Sequence, residues 1–99
     1  ARAVDGMVTA VIGTHTHVQT NDAQIFPKGS GYITDAGLTG AVDSILGMKP
    51  DKMIEKMKSS LPVRYEVGTG EVKIEAVLMK IDDKSNSINK IMEIKKNNL

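Results

Sequence analysis

Residues 7–12, MVTAVI, form a nearly unbroken apolar run that is β-branched at Val8, Thr9, Val11 and Ile12 and stops at Gly13. A short continuous run of this kind, closed by glycine, predicts a strand buried on both faces, as in the parallel sheets of α/β proteins. Such a strand needs a layer on each side, and a parallel strand is normally fed by a crossover helix. Only six residues precede this one, and the first of them is Ala1 rather than Met. The expectation is therefore a single partial domain over 1–99, the carboxyl-terminal segment of something larger.

Beyond the strand lies GTHTHVQTNDAQIFPKGSGYITDAGLTGAVDSILGMKP, in which Gly, Thr, Ser, Asn and Asp surround short apolar pieces. Most of it reads as loop, with one short strand at Gly31–Thr34 and a helical turn at Asp43–Met48. A loop-rich stretch of about 35 residues is uncommon in a compact domain unless it is functional. It opens with the chain's two histidines, His15 and His17, set two residues apart. In an extended backbone, residues i and i+2 point to the same side, so both imidazoles would converge. Ligands of open α/β sheets bind at the carboxyl ends of strands, and neutral imidazole is the commonest ligand of first-row metals. A bare HxH fits a polar loop as well as a metal site, and catalytic zinc usually takes three protein ligands. Asp22, Asp35 and Asp43 are the carboxylates near enough in sequence to contribute, although each sits beside Gly, Asn or Ser in a way that equally suits a turn or cap.

Pro50–Leu61 places Met53, Ile54, Met57 and Leu61 on one stripe, which predicts an amphipathic helix with Pro50 at its first position, Pro62 after its end and the stripe packed into the core. Arg64–Val67, the turn Gly68-Thr69-Gly70 and Glu71–Asp82 predict a hairpin. In its second strand Glu71, Lys73 and Glu75 form a wet face and Val72, Ile74 and Ala76 a dry one, with deeper burial from Val77 to Ile81. Asp82–Ser87 reads as a polar turn, Ile88–Ile94 as a returning strand and Lys95–Leu99 as a frayed end.

Composition narrows the possible functions. The 99 residues carry 13 Lys and Arg against 12 Asp and Glu, no Cys, no Trp and 3% aromatic residues. A net charge of +1 supplies no field to gather nucleic acid or an anionic membrane, so neither DNA nor a membrane is expected as partner. Residues 1–48 hold two bases against four acids and residues 49–99 eleven against eight, so charge is concentrated in the second half. The absence of Cys removes disulfides, thiolate metal sites and cysteine nucleophiles, and suits the cytoplasm. No GxSxG elbow and no GxxxxGK[ST] loop is present, and Phe26, Tyr32 and Tyr65 are too scattered for a base-stacking platform.

At Gly13–Thr20 (GTHTHVQT), Gly31–Gly40 (GYITDAGLTG) and Asp43–Gly47 (DSILG) the sequence resembles the carboxyl-terminal part of the calcineurin-like, YmdB-like family of bacterial metallophosphoesterases, the 2′,3′-cyclic-nucleotide 2′-phosphodiesterases. The likeness runs over nearly the whole chain. It implies an α/β fold, α+β as an isolated piece, forming the carboxyl-terminal part of a two-sheet sandwich flanked by helices. In that family GTHTH is the last metal-binding motif, so the resemblance makes His15 and His17 ligands, one for each of two divalent or transition metal ions (Fe, Mn or Zn). Thr14 and Thr16, and more remotely Thr20, become candidates for substrate contact or for holding the second nitrogen of each ring.

The family's amino-terminal Asp, its Glu-Asn pair, its Asn-His motif with the general acid and one further His have no counterpart in 1–99. No catalytic residue is therefore assigned here, no role falls to Asp22, Asp35 or Asp43, and the fragment alone is expected to be inactive. The implied partners are the remainder of the same protein, a phosphoester or cyclic-nucleotide substrate and a compatible homo-oligomer. The activity implied is metal-assisted phosphoester hydrolysis. A reading from a different class is a non-catalytic assembly module whose loops and hairpin edges pair with another chain.

Overall fold

In the computed structural model, which describes residues 1–97, the chain carries a 3₁₀ turn (Arg2–Val4), β1 (Ala10–Ile12), β2 (Gln24–Ile25), β3 (Gly31–Ile33), β4 (Gly40–Ala41), α1 (Pro50–Ser59), β5 (Val72–Ile81) and β6 (Ile88–Asn97). Among the described residues this is a mixed α/β fold with two three-stranded sheets, ordered β1-β3-β2 and β4-β5-β6, and one α-helix. The chain divides into two compact units, one of Ala1–Gly37 with Glu75–Ile94, the other of Leu38–Ile74 with the residues from Lys95 on. Among the described residues no helix is long and apolar enough to cross a membrane.

In the first unit β1 runs parallel to β3, with Ala10 opposite Gly31 and Ile12 opposite Ile33, while β2 joins the other edge of β3 in antiparallel register. The parallel pairing agrees with the reading of the apolar run, but the extent and burial of the strand do not. Residues 1–7 are taken up by successive turns, with hydrogen bonds from the Val4, Asp5 and Met7 amides to carbonyls three residues back and a left-handed Gly6. The strand therefore starts only at Ala10, Met7 is 79% exposed, and Ile12 is exposed on a strand with a single neighbour. The amino-terminal turn is held by Ser30, whose hydroxyl donates to the Val8 carbonyl at 2.5 Å and accepts from the Gly6 amide at 2.8 Å. Phe26, Ile33 and Ile88 are buried, and Phe26 stacks on Tyr32 with ring centroids 5.3 Å apart.

The hairpin of β5 and β6 turns at Asp82–Ser87, where the Asp82 amide donates to the Ser87 carbonyl and the Asp82 carboxylate accepts from the Lys84 and Ser85 amides. The expected wet and dry faces of β5 are not observed. Glu75 is only 6% exposed while Val72 and, further on, Leu78 and Ile81 are exposed. The cause is local: Glu75 Cβ lies 2.8 Å from where a side chain on Gly37 would begin, so the Ala36–Gly37 segment covers the face that alternation assigns to water. β6 continues to Asn97, beyond the frayed end expected from Lys95; Asn98 and Leu99 lie outside the described residues.

In the second unit Ala41 and Met48 are buried. Asp43–Met48 is not helical: Leu46 and Gly47 both adopt left-handed φ, closing a turn between Ile45 and Met48. Residues 64–67 do not pair with β5. Val67 bridges Met48, the Lys49 amide donates to the Glu66 carbonyl at 2.8 Å, and β5 pairs instead with β4, Ala41 opposite Val72. Gly68 permits this route, since a side chain there would meet Ala41 Cβ at 2.9 Å and Ser44 Cβ at 3.0 Å. Helix α1 begins at Pro50 as its spacing predicts but ends at Ser59, capped by left-handed Ser60, short of the expected Leu61; no residue in it is buried and Met57 is 74% exposed. Its apolar stripe therefore does not reach the core among the described residues.

Candidate metal centre

Strand β1 delivers the chain to Gly13, and the backbone of the histidine loop is held from there by residues 33–36, the end of β3 and the segment after it. The Gly13 amide donates to the Ile33 carbonyl at 3.0 Å and the Gly13 carbonyl accepts from the Ala36 amide at 2.9 Å. Asp35 Oδ2 accepts from the Thr16 amide at 2.8 Å and from Thr16 Oγ1 at 2.6 Å. The Thr20 amide donates to the Asp35 carbonyl at 3.1 Å, and the Asp35 amide donates to Thr20 Oγ1 at 3.0 Å. The loop is thus pinned at residues 13, 16 and 20, on both sides of each histidine.

Between those pins the backbone is not extended. His15 has φ 114° and His17 φ 64°, conformations uncommon for residues with a Cβ. The i, i+2 periodicity of an extended strand therefore does not apply in this loop. Such conformations cost on the order of 1–3 kcal/mol each and cluster at functional sites. Thr16 binds the two turns together: its Oγ1 donates to Asp35 and accepts from the Val18 amide at 3.3 Å, a turn that encloses His17.

The His17 ring bears on the metal question directly. Its Nδ1 is buried without a hydrogen-bond partner, whereas buried polar atoms in native proteins are almost always paired. An imidazole nitrogen left in this way is, in its bare form, the donor that a metal ion needs, so the residues present fit part of a metal site. His15 is exposed. Among the described residues no group of three or more His, Asp or Glu side chains converges.

The three aspartates separate cleanly. Asp35 is 1% exposed, and its Oδ1 accepts from the Gly37 amide at 2.8 Å. The Thr16 hydroxyl, then the Gly37 amide, with lesser contributions from the Thr16 amide and the His17 ring, hold its carboxyl below the usual range, against desolvation that raises it. Asp22 caps the end of β3: its carboxylate accepts from the Thr34 hydroxyl and amide and, at 2.7 Å, from Thr20 Oγ1, which lowers its pKa to about 2. Asp43 is exposed in the second unit. Thr14 is exposed and makes no hydrogen bond among the described residues, and Thr16 reaches Asp35 and the loop backbone rather than an imidazole nitrogen.

Two groups at the loop have a bonding role that the motifs do not disclose. Asp35 reads in the sequence as a candidate carboxylate ligand or as a turn residue, and the structure makes it the acceptor that holds the loop. Gln19 gave no signal, yet its Nε2 reaches the carbonyls of Ala36, Ala76 and Ile94 at 3.3, 2.9 and 3.2 Å, tying the loop to both arms of the hairpin.

The profile of the YmdB-like protein family matches residues 1–94. A Bacillus subtilis (strain 168) protein named 2′,3′-cyclic-nucleotide 2′-phosphodiesterase is 49% identical over 90 residues, covering 91% of this chain and 34% of that protein. Among solved structures, a hypothetical protein from Thermus thermophilus superposes with a TM-score of 0.88 at 30% identity, over 100% of this chain and 38% of that one. A novel phosphatase from Mycoplasma pneumoniae superposes with a TM-score of 0.86 at 34% identity, over 97% of this chain and 34% of that one. The chain therefore spans about a third of the length of these relatives.

Proposed function

The chain belongs to the YmdB-like protein family, and from that premise we propose that it forms part of a metal-dependent phosphodiesterase acting on phosphoesters such as 2′,3′-cyclic nucleotides in the cytoplasm. Its role is to present His15 and His17 as ligands, one to each of two ions of the Fe, Mn or Zn type. The observation that carries the reading is the buried, unpartnered Nδ1 of His17 in a loop pinned on both sides of it. The names of the Bacillus subtilis and Mycoplasma pneumoniae relatives support phosphoester hydrolysis as the reaction class. When bound, such ions supply Lewis-acid polarisation of a phosphoryl oxygen and offset the charge that grows there.

This chain's own residues do the positioning. β1 and β3 carry the loop, the bonds of Gly13, Thr16 and Thr20 to residues 33–36 fix its course, and the left-handed turns set the direction of each ring. The proton on each ring must sit on the nitrogen that faces away from the ion, since only a bare nitrogen ligates. The test uses the intact protein. His15→Ala and His17→Ala should each lower metal content and phosphodiesterase rate by more than the roughly 10–100-fold typical of losing an outer partner of a ligand. Wild-type metal content and rate in both variants would overturn the assignment and leave the assembly-module reading standing.

A further inference from the structure

We propose that Asp35 is a positioning residue: its buried carboxylate holds the peptide between His15 and Thr16, and with it the direction of both imidazoles toward a metal ion. The inference rests on the metal-ligand reading of His15 and His17 and adds to it the group that sets their geometry. Thr16 is the residue between the two histidines. A hydrogen bond to its amide fixes the plane of the His15–Thr16 peptide, and so ψ of His15 and φ of Thr16. The same oxygen, Asp35 Oδ2, takes the Thr16 hydroxyl at 2.6 Å, and that hydroxyl accepts the Val18 amide, closing the turn around His17. One carboxylate oxygen thus acts on the backbone before and after His17, where the left-handed φ values of 114° and 64° have to be held against their intrinsic cost.

The other oxygen is committed to the Gly37 amide, and the main chain of Asp35 is bonded to Thr20 in both directions, so the carboxylate cannot swing away to act as a ligand itself. A neutral amide would not replace it. Asp35 meets N–H donors on both oxygens, and Asn would have to turn its own NH₂ toward either Thr16 or Gly37.

The experiment is a Mn²⁺ titration of the intact protein by calorimetry, alongside thermal unfolding of the metal-free form. Asp35→Asn should weaken Mn²⁺ binding about 10–100-fold, the range for losing an outer partner of a ligand. Because Asp35 is buried and its variant risks misfolding, Thr16→Val serves as a second probe. Thr16 is exposed, so the variant folds, and loss of its hydroxyl should weaken Mn²⁺ several-fold, while Thr16→Ser restores wild-type affinity. A purely structural role predicts no such rescue pattern in metal affinity. If Asp35→Asn and Thr16→Val bind Mn²⁺ as tightly as wild type while His17→Ala does not, the positioning role is overturned and the ligand reading survives. If His15→Ala and His17→Ala also bind as wild type, the ligand reading falls and the positioning role falls with it.

Discussion

Gly13 occupies a place where no side chain fits. A Cβ there would lie 1.9 Å from the Thr34 carbonyl oxygen, and both sides of that contact are backbone, so neither yields by a rotamer change. Overpacking typically costs about 1–3 kcal/mol, and a backbone-to-backbone clash belongs at the upper end. Gly13→Ala should therefore lower stability by about 3 kcal/mol in urea unfolding, and crystals of the variant should show the histidine loop displaced from β3. Asp22, on the far side of the same strand end, offers a pH prediction. Its folded pKa is depressed to about 2, chiefly by the Thr34 hydroxyl and then by Thr20, against about 3.9 in the unfolded chain. The unfolded state thus binds the proton first. The stabilisation from Asp22 is fully present above about pH 4 and is lost as pH falls through about 2. Carboxyl NMR titration should place the Asp22 midpoint near 2, and Thr34→Val should move it up toward the ordinary value; an ordinary midpoint in the wild type would refute the cap.

Among the elements, those with a self-contained local signal were legible. Pro50 at the first helical position, the polar turn at 82–87 and the strand at 31–33 were all foreseen, because capping and turn chemistry act over a few residues. What failed depended on residues outside each pattern. The alternation in β5 could not reveal that Gly37 would cover Glu75, and the run at 7–12 could not reveal that a left-handed Gly6 would keep Met7 and Val8 out of the strand. The pairing of 66–68 along 47–49 rather than with β5 depends on the missing side chain of Gly68. Helix α1 gives a prediction at this scale. It ends on Ser60 at φ 55°, where the Ser60 amide bonds the Lys56 carbonyl and a side chain gains nothing from the left-handed conformation. Glycine takes that conformation freely. Ser60→Gly should raise stability by about 0.5–1 kcal/mol in urea unfolding, within the range for substitutions that relieve such a position, whereas Ser60→Val should lower it.

For the molecule as a whole, the place of the candidate site was legible and its geometry was not. The apolar run, Gly13 and the two histidines mark the candidate in the sequence, but the rule that would bring both rings to one side requires an extended backbone, which the left-handed turns at His15 and His17 replace. Those turns exist because residues 33–36, about twenty positions away in sequence, hold the loop, and nothing in GTHTH encodes that partner. The same arrangement predicts how metal and folding are linked. A ligand that binds only the native state stabilises it by RT ln(1 + [L]/Kd), about 2.7 kcal/mol at a hundredfold excess over Kd. Unfolding disperses the His17 turn and its pins, so the unfolded chain offers no comparable site. The intact protein should therefore unfold at a higher temperature in Mn²⁺ than in EDTA, by an increment that grows with the logarithm of free Mn²⁺. His17→Ala should flatten that dependence while leaving the EDTA curve nearly unchanged or slightly raised, because the substitution removes a buried nitrogen with no partner in the metal-free fold. Scanning calorimetry across a Mn²⁺ series distinguishes the outcomes: a wild-type midpoint indifferent to Mn²⁺, or a His17→Ala variant that keeps the full logarithmic slope, would remove His17 from the metal site.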